Sequence, residues 1–451
     1  MRITAREGRL DGVRRALREE GGAPLVTVTG PLGSAEWAWV LGRLPDHELR
    51  AAVPRLPPGQ LPEIVAELPP RTAAELVDRL PPPEGAALLR ALDPDDAVDL
   101  LAHLNAGAAQ TLLGLLPAEA AARLRQLLTY PPDTAGGRMT PQFVALPPDL
   151  NADQAIGAIR RAAHGAETVY SVFVVDGAGA FLGILSLREL VLAPPGTPVL
   201  ELLVPDPVCV RVDADQEEAA RLLIGRNLLA LPVLDARGRL VGILTEDDVA
   251  DVLEEEATED IERLGGSQPL EMPYRRAGAA LLLRKRLPWL LALFVAEAYT
   301  GNVMRYFEDT LEQVVALAFF IPLLLGTGGN VGSQITTTLV RAMAVDDLGL
   351  RDLRWILGKE FAVGALIGVV MAAIAFGRAW LLGVGMDVGT VVALAIAAIT
   401  IWASVVAAAL PLALRKFRFD PTVVSAPFIT TLVDGTGLVI YFLIARSILG
   451  L

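Results

Sequence analysis

Residues 423–449 read VVSAPFITTLVDGTGLVIYFLIARSIL, an apolar stretch long enough to cross a bilayer as a helix. Its acidic residue is Asp434, and no charged residue between Pro421 and Ala445 neutralises it. A carboxylate at membrane depth costs about 2.5–3.5 kcal/mol or more, so such residues usually face a partner, a water-filled path or an ion. The stretch therefore predicts a membrane protein in which Asp434 is the first candidate functional residue.

The charge of the chain is divided unevenly about Met272. Residues 1–272 hold 41 acidic and 24 basic side chains, whereas residues 273–451 hold 11 and 15. The first half has the composition of soluble domains. The second half contains apolar runs of span length. We expect an α-helical membrane domain of five spans, at residues 287–304, 312–343, 358–382, 388–413 and 422–449.

Basic residues precede the first, third and fifth apolar runs. They are Arg284, Lys285 and Arg286, then Arg351, Arg354 and Lys359, and finally Arg415, Lys416 and Arg418. Lys and Arg mark the cytoplasmic ends of membrane helices. The soluble half is therefore expected in the cytoplasm, and an odd number of spans places the C-terminus outside.

Composition also restricts the chemistry. The chain has three His and one Cys, so a bound metal is expected to use oxygen ligands. His47, His103 and His164 lie in the soluble half without a nucleophile beside them, which argues against an enzyme. The acidic balance of that half disfavours nucleic acid as a partner.

Two repeats divide the soluble half. Leucines recur every 12 residues and most are followed by Pro or Asp-Pro, which predicts a solenoid of short helices; they are Leu44, Leu56, Leu68, Leu80, Leu92, Leu104, Leu116 and Leu128. A second repeat has an offset of 59 residues, because Asp176, Gly179 and Gly183 match Asp235, Gly238 and Gly242. Alternating apolar residues around each Asp-x-x-Gly turn predict two β-hairpins, each followed by a helix. This pair, at about residues 138–257, resembles tandem cystathionine-β-synthase-type (CBS) domains.

Acidic residues form two groups. Residues 246–262 contain ten acids and no base, and on a helix Asp248, Asp251, Glu255 and Glu259 would share one face. The second group, residues 93–99, holds four aspartates within the solenoid. Such runs are usually solvated faces. Two acidic surfaces on adjacent domains would nevertheless repel each other unless cations such as Mg²⁺ bridged them.

Polar motifs interrupt two of the apolar runs. Residues 326–334, GTGGNVGSQ, predict a break in the second span, with the freed carbonyls lining a cavity. Close packing through small residues is the alternative for the glycines, but it does not account for Asn330 and Gln334. Residues 430–437, TTLVDGTG, surround Asp434 with hydroxyls and glycines.

These motifs and the order of the domains resemble the MgtE family of magnesium channels along essentially the whole chain. The resemblance implies a helical N-terminal domain at 1–130, CBS domains at 131–200 and 201–257, an acidic connecting helix at 249–275 and a pore domain at 276–451. It implies a homodimer in the lipid of the bacterial cytoplasmic membrane, with one Asp434 per subunit in the selectivity filter. Further pore candidates are Asn330, Gln334, Thr431, Gly435 and Asp420. Glu297 departs from the family pattern; it either adds charge to the pore or pairs with Lys359 or Arg341.

The resemblance also implies regulation by cytoplasmic Mg²⁺. Bound ions would draw the solenoid and the CBS domains together and close the pore. The implied ligands are Asp95, Asp99, Asp215, Glu217, Asp248, Asp251, Glu256, Glu259 and Asp260. CBS domains often bind ATP or another adenine nucleotide, for which Ser186, Arg188 and Thr245 are weak candidates; helix capping is the alternative role for Ser186 and Thr245.

Two rival functions stay open. Glu297 and Asp434 could be the coupled carboxylates of a transporter that exchanges Mg²⁺ for H⁺ or Na⁺. The chain could also be a membrane-anchored nucleotide sensor that transports nothing.

Overall fold

The computed structural model describes residues 2–18, 24–204, 206–270, 272–345, 348–417 and 419–451. Arg418, used above to orient the fifth span, lies outside these residues. The chain divides into two compact units. Residues 1–256 and 271–277 form the first unit, and residues 257–270 and 278–451 form the second.

Short helices fill the N-terminal part of the first unit. They are α1 (Arg2–Arg18), α2 (Leu25–Thr29), α3 (Ser34–Leu41), α4 (Asp46–Ala52), α5 (Leu61–Ala66), α6 (Pro70–Val77), α7 (Pro82–Leu89), α8 (Pro94–His103), α9 (Ala106–Leu115) and α10 (Ala118–Leu127). From α6 to α10 a helix begins every 12 residues, and proline opens α6, α7 and α8. Proline suits this position because its φ angle is helical and its missing N–H would have no partner there. The predicted solenoid is confirmed.

Two hairpin modules follow the solenoid. The first contains α11 (Ala135–Arg138), β1 (Ala145–Leu146), α12 (Ala152–Ala162), β2 (Ser171–Val175), β3 (Phe181–Ser186) and α13 (Leu187–Leu192). The second contains β4 (Val210–Arg211), α14 (Gln216–Gly225), β5 (Ala230–Leu234), β6 (Leu240–Thr245) and α15 (Glu246–Leu264). Each sheet has three strands, an antiparallel hairpin with a short parallel strand at one edge. The hairpins were predicted; the two-residue strands β1 and β4 were not.

The repeated Asp-x-x-Gly turns explain the register of both hairpins. The carboxylate of Asp176 accepts hydrogen bonds from the backbone N–H groups of Ala178 and Ala180, each at 2.8 Å. Asp235 makes the equivalent bonds in the second hairpin. Gly179 and Gly238 have φ angles of 81° and 73°, a region that favours glycine.

Helix α15 carries the acidic run and is shorter than predicted. It ends at Leu264 instead of continuing to residue 275. The physical reason is local: Gly265 and Gly266 follow it, and Gly266 has a φ angle of 76°. Residues 246–256 of α15 belong to the first unit and residues 257–264 to the second.

The second unit is helical. It contains α16 (Ala279–Tyr306), α17 (Glu308–Gln313), α18 (Ile321–Val345), α19 (Leu353–Leu381), α20 (Met386–Lys416) and α21 (Ala426–Leu449). In the described part of the chain, four helices, α18 to α21, are long and apolar enough to cross a bilayer. The first predicted span, residues 287–304, falls on the 28-residue helix α16, which is not among those four.

The predicted break in the second span is wrong, because α18 runs without interruption from Ile321 to Val345. Its glycines serve close packing instead. A Cβ atom on Gly328 would lie 2.8 Å from Val433 and 2.8 Å from Ile399, and one on Gly332 would lie 2.6 Å from Ile429. Packing against α20 and α21 therefore outweighs the low helix propensity of glycine.

Candidate functional site

Asp434 lies in the first half of α21, where α16 packs against that helix. Its Oδ1 atom is buried and has no hydrogen-bond partner among the described residues. On α16, the buried hydroxyl of Thr300 also lacks a partner in this part of the structure. A buried polar atom without a partner is unfavourable, so both oxygens have unused capacity to bind water or an ion.

The residue after Asp434 is packed tightly. A Cβ atom on Gly435 would lie 2.3 Å from the ring of Tyr299 and 3.2 Å from the hydroxyl of Thr300. Glycine at this position therefore allows α16 to approach the backbone of α21 beside Asp434. The sequence predicted Gly435 as a pore candidate but did not reveal its contact with Tyr299. Thr431, one turn before Gly435, is half-buried.

A row of polar side chains lies exposed on α18. Asn330 and Gln334 are separated by one helical turn, and Thr337 and Thr338 continue the row. We call these four residues the polar row. Thr338 donates a hydrogen bond to the carbonyl oxygen of Gln334 at 2.8 Å, whereas the amides are exposed. Amides on a membrane helix are unfavourable against lipid and usually face a bundle interior or a water-filled path.

Glu297 is exposed on α16. Among the described residues it forms no ion pair with Lys359 or Arg341, so the pairing considered from sequence is not found. The ammonium of Lys359 instead lies 5.2 Å from the ring centre of Trp355.

Asp420 precedes α21 and is engaged by two groups of the second unit. Its Oδ1 atom accepts a hydrogen bond from the backbone N–H of Thr422 at 2.8 Å. Its Oδ2 atom pairs with Arg263 of α15, which also pairs with Glu259. The C-terminal end of the acidic helix is thus held by the acid at the start of the last span.

In the first unit, the two acidic groups face each other. Burial, together with the charges of Asp248 in α15 and of Asp96, raises the pKa of Asp95 in α8 from 3.8 to about 8. Burial likewise raises the pKa of Asp248 to about 6. The Oδ1 atom of Asp95 is buried without a partner in the described structure. The two surfaces predicted to need a bridging cation are therefore brought together.

Further acidic residues surround the contact between Asp95 of α8 and Asp248 of α15. We call this group of acidic residues the acidic interface. Burial and the charge of Asp93 raise the pKa of Asp96 to about 7. Burial also raises the pKa of Glu167, as does the charge of Asp93. Burial raises the pKa of Asp99 although Arg138 opposes the shift. Sequence reasoning missed Glu167 and Arg138, which lie outside the acidic runs.

Other predicted Mg²⁺ ligands form hydrogen bonds or ion pairs within the protein. Asp215 caps α14 by accepting hydrogen bonds from the N–H groups of Glu217 and Glu218 at 2.9 and 3.3 Å. The Glu217 carboxylate pairs with Arg221 one turn later, and Glu256 accepts a hydrogen bond from Gln216. Burial and the charge of Glu255 raise the pKa of Asp251. Asp260 lies in the part of α15 that belongs to the second unit.

The acidic side chains are not arranged as a closed metal site. Within the described ranges, no three or more His, Cys, Asp or Glu side chains are grouped so that they could hold one ion.

Two of the three predicted nucleotide contacts, Thr245 and Arg188, lie beside carboxylates of the protein itself. The hydroxyl oxygen of Thr245 lies 2.6 Å from a carboxylate oxygen of Asp247 and 2.6 Å from one of Asp248, and the backbone N–H of Thr245 donates to Asp248 at 3.2 Å. Ser186 is the N-cap residue of α13 but makes no capping bond with its side chain. Arg188 is exposed and lies 3.9 Å from Glu189.

Comparison with known proteins agrees with this domain order. The family model for divalent cation transporters of the MgtE type matches residues 321–444, and that for the MgtE intracellular N domain matches residues 32–133. The CBS domain model matches residues 135–196 and 199–255. The predicted fold class, with its solenoid, tandem CBS domains and apolar helices, is confirmed.

Curated relatives cover most of the chain. It is 44% identical to "Magnesium transporter MgtE" of Thermus thermophilus over 323 aligned residues, and these residues cover 72% of each chain. It is 32% identical over 322 residues to the protein of the same name from Bacillus subtilis, which is 71% of either chain. A solved structure, "Crystal structure of the cytosolic domain of the Mg2+ channel MgtE in complex with ATP", is 36% identical with a TM-score of 0.49 and covers 54% of this chain and 99% of its own.

Proposed function

This chain belongs to the MgtE family of magnesium transporters, and from that premise we propose that it forms a homodimeric Mg²⁺ channel closed by cytoplasmic Mg²⁺. Magnesium transport is not an enzymatic activity, as predicted. The proposed location is the cytoplasmic membrane of a bacterium, with the first unit in the cytoplasm and the C-terminus outside.

The observation that carries the proposal is the buried, unpartnered Oδ1 atom of Asp434 within the described part of an apolar helix bundle. A carboxylate in such surroundings needs a cation or water to offset the cost of burial. Mg²⁺ releases its water reluctantly. A hydrated ion held through water by Asp434 and its symmetry mate satisfies both requirements.

The polar row supports a dimeric pore. Four exposed polar side chains on α18 would face lipid in a single subunit. Facing the same row of a second subunit, they would line a wet path instead. Asn330 and Gln334 then offer amide oxygens that accept hydrogen bonds from the water around Mg²⁺.

The acidic interface supports regulation. Because Asp95 and Asp248 repel each other when ionised, their contact is unfavourable at neutral pH without cations. Mg²⁺ bound there favours the arrangement in which α8 and α15 touch. Since α15 continues to the residues that pair with Asp420, this preference can bias the pore.

Uptake by liposomes tests the pore and separates channel from coupled transport. We expect Asp434→Asn to lower Mg²⁺ uptake by at least roughly tenfold, because the neutral amide attracts the ion less. Wild-type uptake should follow the Mg²⁺ electrochemical gradient and ignore an imposed H⁺ or Na⁺ gradient. Uptake driven by either gradient would favour the transporter, and unchanged uptake by Asp434→Asn would refute the pore.

Cysteine cross-linking tests the dimer. The chain has one cysteine, Cys209, so Cys209→Ser provides a clean background. In it, Asn330→Cys should link two subunits through a short bis-maleimide, because the polar rows face each other. Val369→Cys, 65% exposed on α19, is the matched control and should not cross-link. Equal cross-linking of both variants would contradict the proposed pore.

Binding of an adenine nucleotide to the CBS domains stays a prediction. The solved relative was crystallised with ATP. In this chain the Thr245 hydroxyl is already used by Asp247 and Asp248, so a nucleotide would have to displace or share these bonds. Equilibrium dialysis with ATP, comparing wild type with Arg188→Ala, tests it.

A further inference from the structure

Arg138 joins three elements of the first unit at the edge of the acidic interface. Its Nη1 atom lies 3.1 Å from Oδ2 of Asp99 in α8, and its Nη2 atom bonds to the carboxylate of Glu255 in α15. Its Nε atom donates to Oε1 of Gln216 in α14 at 2.9 Å. Gln216 in turn donates to Glu256, so the connection reaches α15 twice.

The guanidinium of Arg138 and the carboxylates it pairs with are partly shielded from solvent. Its side chain is 18% exposed, and those of Asp99 and Glu255 are 24% and 45% exposed. Arginine keeps its charge at every physiological pH, and its planar fork offers donors in several directions at once. Arg138 is also the last residue of the four-residue helix α11, whose start is capped by Thr134.

We propose that Arg138 acts as a built-in cation that bridges Asp99 and Glu255, doing permanently at one place what Mg²⁺ does reversibly across the rest of the acidic interface. It is a positioning residue for the regulatory site and does not contact the transported ion. This inference rests on the proposed regulation by Mg²⁺.

Charge explains why a fixed cation matters here. Asp95, Asp96 and Asp248 repel one another. When Mg²⁺ is scarce, no divalent cation is bound to offset this repulsion. One positive charge between α8 and α15 offsets part of that repulsion. The contact therefore starts partly stabilised, and fewer Mg²⁺ ions, at a lower concentration, complete it.

Removing Arg138 should have an effect that depends on Mg²⁺. Without Mg²⁺, Arg138→Gln should separate α8 from α15 more readily than wild type. At saturating Mg²⁺, ions can occupy the place left by the guanidinium, and the difference should vanish. An arginine that only supported the fold would lower stability by a similar amount at every Mg²⁺ concentration.

The experiment is limited proteolysis of the full-length protein in detergent, titrated with Mg²⁺ from a chelator-buffered zero. For Arg138→Gln we expect the Mg²⁺ concentration that gives half-maximal protection of the first unit to rise about three- to tenfold. We expect Arg138→Lys to restore part of the shift, because lysine supplies charge without the fork. At saturating Mg²⁺, the amount of Mg²⁺ bound per chain, measured by equilibrium dialysis, should be higher in Arg138→Gln than in wild type.

Arg211→Gln is the matched control. Arg211 also pairs with an aspartate, Asp213, but in the second CBS domain, where this pair is 62% and 67% exposed and lies outside the acidic interface. Its protection curve should match that of wild type. Surface pairs of this kind contribute little to stability.

Three outcomes can be distinguished. If wild type is protected by Mg²⁺ and Arg138→Gln follows the same curve with the same bound Mg²⁺, the role of Arg138 is refuted while the proposed regulation stands. If wild type shows no protection by Mg²⁺, the regulation itself fails. A uniform loss of protection at all Mg²⁺ concentrations would assign Arg138 a structural role and also refute the inference.

Discussion

Single residues decide how close helices approach the proposed ion site. Tyr299 lies against Gly435, the neighbour of Asp434, and only a residue without Cβ fits there. The contact explains the glycine at the residue scale, where the sequence shows only an Asp-Gly pair. Adding a single methyl group at Gly435 therefore tests whether α16 and α21 approach each other this closely.

Gly435→Ala should push the Tyr299 ring away from α21 or displace α21 itself. Overpacking of this kind typically costs about 1–3 kcal/mol. We expect a lower thermal unfolding midpoint and reduced Mg²⁺ uptake. The double variant Gly435→Ala/Tyr299→Ala should recover stability because the ring is gone.

Gly358→Ala is the control for this prediction, since a Cβ atom there would meet nothing within 4 Å. It should leave stability and uptake unchanged. If Gly435→Ala behaved like Gly358→Ala in both measurements, the close contact beside Asp434 would be wrong.

The raised pKa values of the acidic interface predict how stability depends on pH. The pKa values of Asp95, Asp96 and Asp248 are raised to about 8, about 7 and about 6 from 3.8. The folded protein therefore binds more protons than the unfolded chain, and its stability falls as pH rises through these values. Without divalent cations, the thermal unfolding midpoint of the first unit should drop from about pH 4, near the unfolded pKa, to about pH 8, the highest of the folded pKa values.

Substitution isolates the contribution of these carboxyl groups. Asp95→Asn removes the group with the highest of the three pKa values, so the fall in midpoint should become smaller. Saturating Mg²⁺ should reduce the fall in wild type as well, because the cation replaces the proton. A pH dependence identical in wild type and Asp95→Asn, measured by calorimetry, would contradict the proposed repulsion.

At the scale of elements, the sequence predicted the helices and hairpins that recur at regular spacing. It did not predict features that depend on packing between helices distant in sequence. Prolines at regular spacing marked the starts of α6 to α8, and two Asp-x-x-Gly turns marked both hairpins. The continuity of α18 was not predictable from Gly328 and Gly332, because their small size is used by side chains of distant helices. The strands β1 and β4 are too short to give a periodic signal.

The candidate site was likewise predicted only in part from the sequence. Runs of acids revealed both sides of the acidic interface. Arg138 could not be predicted, because its acidic partners Asp99 and Glu255 lie 39 and 117 residues away in the sequence.

Helix α15 is the element through which regulation should act. It is continuous from Glu246 to Leu264 and passes from the first unit to the second at Ala257. Ala257→Pro should break it there, since proline removes a hydrogen bond and clashes with the preceding turn, at a cost of about 3 kcal/mol. We expect Mg²⁺ still to protect the first unit from proteolysis but no longer to inhibit uptake.

Ala257→Gly is the milder counterpart, because glycine weakens a helix without breaking it. It should retain most of the inhibition by Mg²⁺. Full inhibition in Ala257→Pro, with the helix shown to be disrupted by circular dichroism, would mean that the signal does not travel along α15.

At the scale of the whole molecule, the same ion has two proposed roles. Asp434 would select it in the membrane, and the acidic interface would sense it in the cytoplasm. Both sites use carboxylate oxygens and water, which agrees with a chain that has three His and one Cys. The two roles predict self-limiting uptake, in which the transported ion closes its own path.

The most direct measurement of this account is Mg²⁺ uptake by liposomes as a function of Mg²⁺ on the cytoplasmic side, for wild type and for Asp95→Asn/Asp248→Asn. Wild-type uptake should fall as cytoplasmic Mg²⁺ rises. In the double variant, which has lost a carboxylate from each face of the acidic interface, uptake should no longer depend on cytoplasmic Mg²⁺ over the same range. The same inhibition curve for both proteins would contradict the account.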